Sequence, residues 1–403
     1  MRTAVVTGLG VAAPNGLGAR NFWNATLAGK SGIGPISRFD TSSYPATLAG
    51  EIRDFDEEQL LAARLLPQTD RVTRLSLVAA DWALENAGIR PWERAEFGMG
   101  VITASSAGGF EFAERELRNL WARGGRYVSA YQSFAWFYAV NSGQISIRHG
   151  MKGPSGVLVS DQAGGLDAVA HARRQIRKGT DLVITGAIDA SLCPWGWIGL
   201  YGTGRVSTAV DPDAGYLPFD ARAAGHVPGE GGALLVMESA EAAELRGARI
   251  YGEVTGYAAT FEAAADSGRE PGLRKAIEGA LADARLRPSD IDVVFADAAG
   301  VRALDRAEAQ AITAVFGARR VPVTAPKTMT GRLTSGAAPL DLAAAFLAFE
   351  DQVIPPTVNV EPDDEHELDL VTGQPRAASL RTALVLARGY GGFNSAMVIT
   401  SHS

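Results

Sequence analysis

The sequence predicts an α/β protein, a layered sandwich of helices and sheets built from two duplicated halves. Strand-like apolar runs such as AVVTGLG, MGVITAS and LVITGAID alternate with alanine-rich helical runs, which is typical of crossover-connected domains with buried parallel strands. Two segments repeat each other, because ALENAGIRPW at residues 83–92 and ALADARLRPS at residues 280–289 both end a predicted helix before an apolar strand. We therefore predict one half at residues 1–247 and the other at residues 248–403.

Length and charge narrow the class of protein. The chain has 403 residues, of which 46% are hydrophobic and 21% are charged, so we expect a large core and more than one domain-sized unit. A net charge of −7 argues against nucleic acid or an anionic membrane as a partner. The sequence has no apolar run of about 20 residues to span a membrane. It also has no signal peptide and a single cysteine, so we expect a cytoplasmic protein.

Motifs for cofactors and metals are weak. GLGVAA at residues 8–13 resembles part of a dinucleotide fingerprint, but Pro14 and Gly16 interrupt the helix that should follow, so we interpret it as a closely packed glycine turn. The five histidines are scattered and form no metal-ligand pattern. Cys193 has neither a predicted helix N-terminus nor a basic neighbour, so we expect a buried structural thiol. The sequence predicts neither a bound cofactor nor a metal.

The stretch VLVSDQAGGLDA, residues 157–168, has the layout of a turn that presents a nucleophile. A predicted buried strand over residues 157–159 turns sharply and leads into a helix, which places one side chain above the sheet. The helix N-terminus would stabilise a thiolate at this position. The chain carries Gln162 there, and its neutral amide cannot act as a nucleophile.

Residues 108–125, GGFEFAERELRNLWARGG, predict a helix bounded by glycines. Its charged side chains form two i,i+4 pairs in the favourable orientation: Glu111–Arg115 and Glu114–Arg118. Three apolar side chains share one face: Phe110, Ala113 and Leu117. Such a stripe suits either a core or the floor of a binding cavity.

Residues 129–150 are densely aromatic. The rings belong to Tyr131, Phe134, Trp136, Phe137 and Tyr138. Their density suits a core and equally the anchor cluster of an obligate interface. Both interpretations remain open at this point.

Six motifs together resemble the β-ketoacyl synthases, the thiolase-fold condensing enzymes of fatty acid and polyketide synthesis. They occur in the order found in that family and span essentially the whole chain: RTAVVTGLGVAAPNGLG, SRFD, GQISIRHGMKGPS, PFDARAAGHVPGEGGALLVME, PKTMTGRLTSGAA and GYGGFNSAMVI. The resemblance implies the thiolase-like α-β-α-β-α sandwich, whose two related halves account for the internal repeat.

The resemblance also implies where the cysteine and two histidines of a condensing enzyme would lie. Gln162 occupies the cysteine position, Ala299 the first histidine position and Arg332 the second. The frame around them is retained, with Lys327, Asp305 and Glu308 in place. Without the thiol no acyl-enzyme can form, and without the histidines the thioester oxyanion loses its donors. We therefore expect that the chain does not condense ketides alone.

A glutamine in the setting VxxQAGGLDA resembles the chain length factors, the ketosynthase β-subunits of type II polyketide synthases. This resemblance implies a heterodimer with a catalytic ketosynthase α-subunit, and substrates carried on the phosphopantetheine of an acyl carrier protein. It favours a chain-length gate at Phe110, Ala113 and Leu117. It also favours the interface role for four of the rings: Tyr131, Phe134, Trp136 and Phe137.

Alternatives remain open on the sequence alone. Gln162 either polarises a malonyl thioester for priming or fills a vacated pocket with its hydrogen bonds satisfied. Two alternatives are also open for the function of the whole chain. It is either a stand-alone thiolase-fold enzyme that decarboxylates malonyl-loaded acyl carrier protein, or a purely structural partner of a ketosynthase. Because only Phe110 among the three gate residues is bulky, we predict a longer tunnel than one with several aromatics there.

Overall fold

The computed structural model describes residues 2–263 and 271–402. Within these ranges the helices are α1 (Ala19–Leu27), α2 (Glu57–Leu60), α3 (Arg71–Asn86), α4 (Phe110–Arg123), α5 (Gln132–Ala135), α6 (Val140–His149), α7 (Gly164–Lys178), α8 (Pro194–Tyr201), α9 (Ala240–Leu245), α10 (Gly272–Ala284), α11 (Arg302–Phe316) and α12 (Ala337–Asp351). The strands are β1 (Ala4–Ala13), β2 (Gly16–Leu17), β3 (Ile33–Pro35), β4 (Leu48–Gly50), β5 (Met99–Ala104), β6 (Ser155–Leu158), β7 (Leu182–Asp189), β8 (Gly231–Ser239), β9 (Gly252–Phe261), β10 (Val293–Phe295), β11 (Pro322–Thr324), β12 (Val353–Ile354), β13 (Asp369–Leu370), β14 (Arg376–Ala377), β15 (Thr382–Arg388) and β16 (Phe393–Thr400).

The strand order repeats between the two halves. The main sheet runs β13-β11-β10-β15-β16-β9-β1-β8-β7-β5-β6, with β2 beside β1. In the first half the order β1-β8-β7-β5-β6 corresponds strand for strand to β9-β16-β15-β10-β11 in the second, and the directions of the paired strands match. A short antiparallel contact between β1 and β9 joins the halves. The predicted duplication is confirmed.

The directions of the strands are mixed, so the expectation of parallel strands is wrong for part of the sheet. β5, β6 and β7 are parallel, as are β10, β11 and β15, whereas β8 and β16 run antiparallel to their neighbours. The turn of residues 389–392 between β15 and β16 is too short for a crossover connection, so these strands pair as a hairpin.

The helices form three layers around the two halves of the sheet. α7 and α12 lie in the central layer, where they share one core with strands of both halves, and α12 is buried from Ala337 to Phe349. α3 covers the outer face of the first half, and α10 and α11 cover the outer face of the second. This arrangement is the predicted α-β-α-β-α sandwich, and it places the amino end of α7 in the interior.

The repeated sequence segments have equivalent structures. α3 ends at Asn86 and is followed by short 3-10 turns and β5, while α10 ends at Ala284 and is followed by a 3-10 turn and β10. The predicted boundary between residues 247 and 248 falls between α9 and β9 and stays a prediction. None of the helices within the described ranges has the length and apolar character needed to cross a membrane.

The GLGVAA motif lies inside β1 and is not the glycine turn that we expected. The close packing that we inferred does occur, because a Cβ atom on Gly10 would lie 1.8 Å from the carbonyl oxygen of Ala79 in α3. Gly8 faces the same helix, where a Cβ atom would lie 2.2 Å from the carbonyl oxygen of Ala83. The glycines therefore bring a strand and a helix together.

Candidate functional site

Gln162 lies in a 3-10 turn of residues 161–163 that connects β6 to α7. Its side chain is buried, and the preceding Asp161 adopts a left-handed backbone with φ of 49°. The Asp161 carboxylate accepts a hydrogen bond from the backbone N–H of Tyr390 at 2.7 Å, which fixes this turn against the loop after β15. The layout of a nucleophile turn is therefore present.

The strand before this turn is not the buried strand that we predicted over residues 157–159. β6 ends at Leu158, its apolar side chains are only half-buried, and Val159 is 50% exposed. The physical reason is its place in the sheet, because β6 pairs with β5 on one side and is the last strand of the described sheet on the other. An edge strand with half-exposed apolar residues is available to a second chain.

Asp297 is the centre of the hydrogen-bond network around Gln162. The Gln162 amide donates through Nε2 to the Asp297 carboxylate at 2.9 Å. The Arg332 guanidinium donates to both carboxylate oxygens at 3.1 Å, and the backbone N–H of Arg388 adds a hydrogen bond of 2.8 Å. Gln162 and Arg332, which we predicted at the cysteine and second histidine positions, are thus joined through one buried carboxylate.

Electrostatics keep this network charged. Burial is the largest single influence on the pKa of Asp297 and raises it, but the charges of Arg332, Lys327 and Arg388 together hold that pKa below its ordinary value. Asp297 in turn raises the pKa of Arg332 although burial opposes this. The pair therefore remains an ion pair at neutral pH, and neither member is available as a proton shuttle.

The loop after β10 carries Ala299, which we predicted at the first histidine position, and two buried acids of α11 hold the backbone of this loop. Glu308 accepts the N–H groups of Asp297 and Ala298 at 2.7 and 2.8 Å. Asp305 accepts the N–H group of Gly300 at 3.0 Å. Ala299 is buried and supplies no polar group in its side chain. The backbone of this loop is therefore fixed, and the loop presents no imidazole at Ala299.

Lys327 also keeps a structural position near this loop. Its buried ammonium group pairs with the Asp341 carboxylate at 2.6 Å and donates to the carbonyl oxygen of Ala296. The retained lysine therefore supports the backbone behind the site and does not point to a substrate.

A small cavity of about 80 Å³ lies beside Gln162. Its lining includes Ala299, Arg332 and His226, and the last of these was not among the predicted site residues. Burial, and secondarily the charge of Arg332, lowers the pKa of His226 to about 3, so this imidazole is neutral. A wider cavity of about 510 Å³ shares Ala299 and Arg332 with it and also reaches Asp297.

Cys193 does not replace the missing nucleophile. It caps the start of α8 and accepts the N–H of Gly196 at 3.4 Å, so our expectation that it lies away from a helix N-terminus is wrong. Burial nevertheless raises the pKa of the thiol to about 12, which outweighs the helix end. The inference of a buried structural thiol is confirmed.

The glycine-bounded helix predicted at residues 108–125 is α4, Phe110–Arg123. The Phe110 ring stacks on Trp195 of α8 with ring centres 4.7 Å apart and planes at 10°. Ala113 is buried, whereas Phe110 and Leu117 are half-buried. The predicted stripe therefore crosses from the core to an open face, and Trp195, which the sequence did not reveal, extends it.

Only one of the two predicted ion pairs on α4 forms. Glu114 and Arg118 pair at 2.5 Å, as their spacing indicates. Glu111 instead pairs with Arg38 at 2.5 Å, and Arg115 pairs with its neighbour Glu116 at 3.1 Å. The prediction for Glu111 is wrong because a partner from a distant loop lies closer than the helical neighbour.

The aromatic residues after α4 lie largely on the surface of this chain. Tyr131, Trp136 and Phe137 are 40%, 41% and 45% exposed, and Phe134 is half-buried. Tyr131 and Phe134 meet edge to face at 5.8 Å, as do Trp136 and Phe137 at 5.9 Å. The core of the chain does not cover these rings.

Comparisons with known proteins agree with this geometry. Residues 1–243 match the family described as Beta-ketoacyl synthase, N-terminal domain, and residues 251–361 match its C-terminal domain. The tetracenomycin polyketide synthase ketoacyl synthase beta subunit of Streptomyces glaucescens is 58% identical over 401 residues, covering 99% of this chain and 98% of that relative.

Two solved structures have the same fold over their whole length. The ishigamide ketosynthase/chain length factor superposes with a TM-score of 0.91 at 28% identity, covering 100% of both chains. A type II polyketide synthase acyl-carrier protein in complex with its ketosynthase, bound to the hexaketide, contains a chain that superposes with a TM-score of 0.88 at 28% identity and 100% coverage of both. The chain described here belongs to the β-ketoacyl synthase family.

Proposed function

We propose that this chain is the non-condensing β-subunit, or chain length factor, of a type II polyketide synthase. In this role it forms a heterodimer with a catalytic ketosynthase α-subunit and limits the length of the poly-β-keto chain. The observation that carries the proposal is the Gln162–Asp297–Arg332 network, which fills the place of a condensing site with hydrogen-bonded groups that cannot perform condensation.

The network excludes the covalent step from this chain. Condensation needs a thiolate that forms an acyl-enzyme and donors for the developing oxyanion. Gln162 has no thiol, Ala299 has no donor, and the Arg332 guanidinium is bound to Asp297. The beta-subunit name of the relative from Streptomyces glaucescens supports the same conclusion.

A partner surface supports the heterodimer. The half-exposed edge strand β6 and the exposed rings Tyr131, Trp136 and Phe137 are apolar surface that this chain alone leaves in contact with water. Aromatic residues of this kind anchor protein interfaces. We assign the ketosynthase α-subunit to this surface, and we assign the delivery of malonyl units to an acyl carrier protein, in line with the complex formed by the structural relative.

The product-length gate is assigned to Phe110, Ala113 and Leu117 on α4. Phe110 and Leu117 are half-buried in this chain. They lie on the helix that leads into residues 129–150, which we call the aromatic segment. A partner docked there would close a cavity over them. Larger side chains on this face should therefore shorten the space available to a growing chain.

For Gln162 itself we propose a structural role. Its Nε2 donates to Asp297 and the side chain is buried. The amide therefore fills the space at the predicted cysteine position with a hydrogen-bonded group. Because the amide N–H is held by Asp297, the structural role is favoured over the priming role. The absence of an imidazole at Ala299 disfavours a stand-alone decarboxylase.

The proposal is tested by assaying the purified chain alone, its α-subunit alone and the heterodimer with malonyl-loaded acyl carrier protein. We expect polyketide from the heterodimer and neither condensation nor carbon dioxide release above background from this chain alone. Carbon dioxide release by this chain alone would establish the decarboxylase alternative. Condensation by it would contradict the proposal.

A further inference from the structure

The predicted gate helix α4 begins without a capping side chain of its own. Its N-cap residue is Gly109, which offers no side-chain acceptor for the free N–H groups of the first turn. The N–H of Phe112, the third residue of the helix, is instead accepted by the carboxylate of Asp70 at 2.7 Å. A side-chain oxygen bound to the N–H of the third helical residue is the geometry of an N-cap, although here it comes from a different helix.

The same carboxylate caps a second helix. Asp70 is the N-cap of α3, and its other oxygen accepts the N–H of Val72 at 2.9 Å. One carboxylate thus ties the amino ends of α3 and α4 together. Both helix ends carry partial positive charge, which favours an anion between them.

The local packing explains why α4 cannot supply its own cap. A Cβ atom on Gly109 would lie 2.1 Å from the carbonyl oxygen of Ala135 and 2.9 Å from the Cβ of Asp70. The N–H of Gly109 donates to the carbonyl oxygen of Trp136 at 3.1 Å. The start of α4 is therefore held between α3 on one side and the aromatic segment on the other.

Asp70 lies at a position where burial disfavours a charged carboxylate. It is buried, and among the described residues no basic side chain forms an ion pair with it. Burial raises its pKa to about 7 in spite of its two backbone hydrogen bonds. Packing alone would be served by an apolar residue, so the acceptor oxygens themselves are what the position requires.

We infer that Asp70 is a positioning residue for chain-length control, because it sets the placement of the first turn of α4 and with it the side chains of Phe110 and Ala113. Asp70 acts through the backbone and contacts no substrate. The inference rests on the proposed chain-length function of α4. It adds to the three predicted gate side chains on α4 the buried carboxylate that holds the first turn of that helix.

The test uses the heterodimer with its α-subunit and compares Asp70→Asn, Asp70→Ala and Ser239→Ala. The first variant keeps the shape and one acceptor but loses the other. Ser239 caps α9, away from α4, with a hydrogen bond to the N–H of Ala242, so its removal is a matched loss of a helix cap. We expect both Asp70 variants to broaden the distribution of polyketide lengths, and Ser239→Ala to leave it unchanged.

Hydrogen exchange provides a second readout that does not need the partner. Amides of residues 110–114 should exchange about tenfold faster in Asp70→Asn than in the wild-type chain, as expected when a helix cap is lost. The inference is overturned if exchange and product length both stay unchanged, or if Ser239→Ala broadens the products equally. Leu117→Phe is included to separate the two claims: if it shortens the product while the Asp70 variants do not, only the positioning role fails. If Leu117→Phe has no effect either, the proposed function fails.

Discussion

Two regions of the chain differ in how far their side chains are covered by the chain itself. One is the pocket around Gln162, and the other is the face formed by α4, the aromatic segment and β6. In the pocket Asp297 is buried and accepts hydrogen bonds from Gln162, Arg332 and the Arg388 backbone. On the face, rings such as Trp136 remain exposed. The chain therefore pairs the charged groups of the pocket internally, whereas it leaves apolar surface on the face that suits contact with a second chain.

The largest effect should come from breaking the pocket. Arg332→Ala removes the guanidinium that binds the buried Asp297 carboxylate, and we expect the free energy of unfolding to fall by about 3–5 kcal/mol. Denaturant unfolding of the purified chain measures this. Arg287→Ala removes an exposed pair with Asp290 and should leave stability unchanged. A small loss in both variants would mean that the pocket is not held by this ion pair.

The next largest effect should be on the affinity of the heterodimer and not on the stability of this chain. Trp136→Ala should weaken the heterodimer by about 2 kcal/mol, or roughly 30-fold in Kd, because buried aromatic anchors dominate interfaces. The melting temperature of the isolated chain should hardly change, since the ring is already exposed. Trp92→Ala, at another exposed tryptophan outside the predicted interface, is the control. Equal affinity in both variants would remove Trp136 from the interface.

A smaller effect is expected at Gln162. Gln162→Ala removes one hydrogen bond from Asp297 but leaves Arg332 in place, so we expect a loss of about 1–2 kcal/mol in stability. Polyketide synthesis by the heterodimer should continue at a similar rate. If the rate of polyketide synthesis falls and an acetyl primer supplied directly restores it, Gln162 has a priming role and the pocket takes part in the chemistry.

The smallest expected signal is the reactivity of Cys193, the only cysteine in the chain. Because burial raises its pKa to about 12, the thiolate is scarce at pH 8. Alkylation in the folded chain should be on the order of a thousandfold slower than that of an ordinary exposed cysteine. Mass spectrometry after timed treatment with iodoacetamide, with and without denaturant, measures this. Fast alkylation of the folded chain would mean that Cys193 is a reactive thiol and a candidate nucleophile.

The fold could be predicted from the sequence because its signals are local, whereas the assignment of Gln162, Ala299 and Arg332 to the positions of a condensing site rests on the resemblance to a family. Alternation of strand and helix patterns and the repeat at residues 83–92 and 280–289 each lie within short segments. The turn at Gln162 follows the same rule. The direction of strands such as β8 could not be predicted in this way, since it depends on which neighbour a strand finds in the folded sheet.

What the sequence did not reveal involves partners far apart in the chain. The ion pair between Arg38 and Glu111 replaced a predicted helical pair, because spacing along a helix says nothing about an approaching loop. The stack of Trp195 on Phe110 and the capping of α4 by Asp70 are of the same kind. The exposure of Val159 followed from the edge position of β6, which no local pattern encodes.

The most direct test of the central claim is the length of the polyketide made by the heterodimer when Leu117 on α4 is replaced by phenylalanine. Leu117 is half-buried, so the larger ring can be accommodated at the predicted interface without overfilling a closed core. Mass spectrometry of the products should show a shorter chain from Leu117→Phe, with the heterodimer intact by size-exclusion chromatography. An unchanged length from an intact heterodimer would contradict the assignment of this chain as the subunit that sets product length.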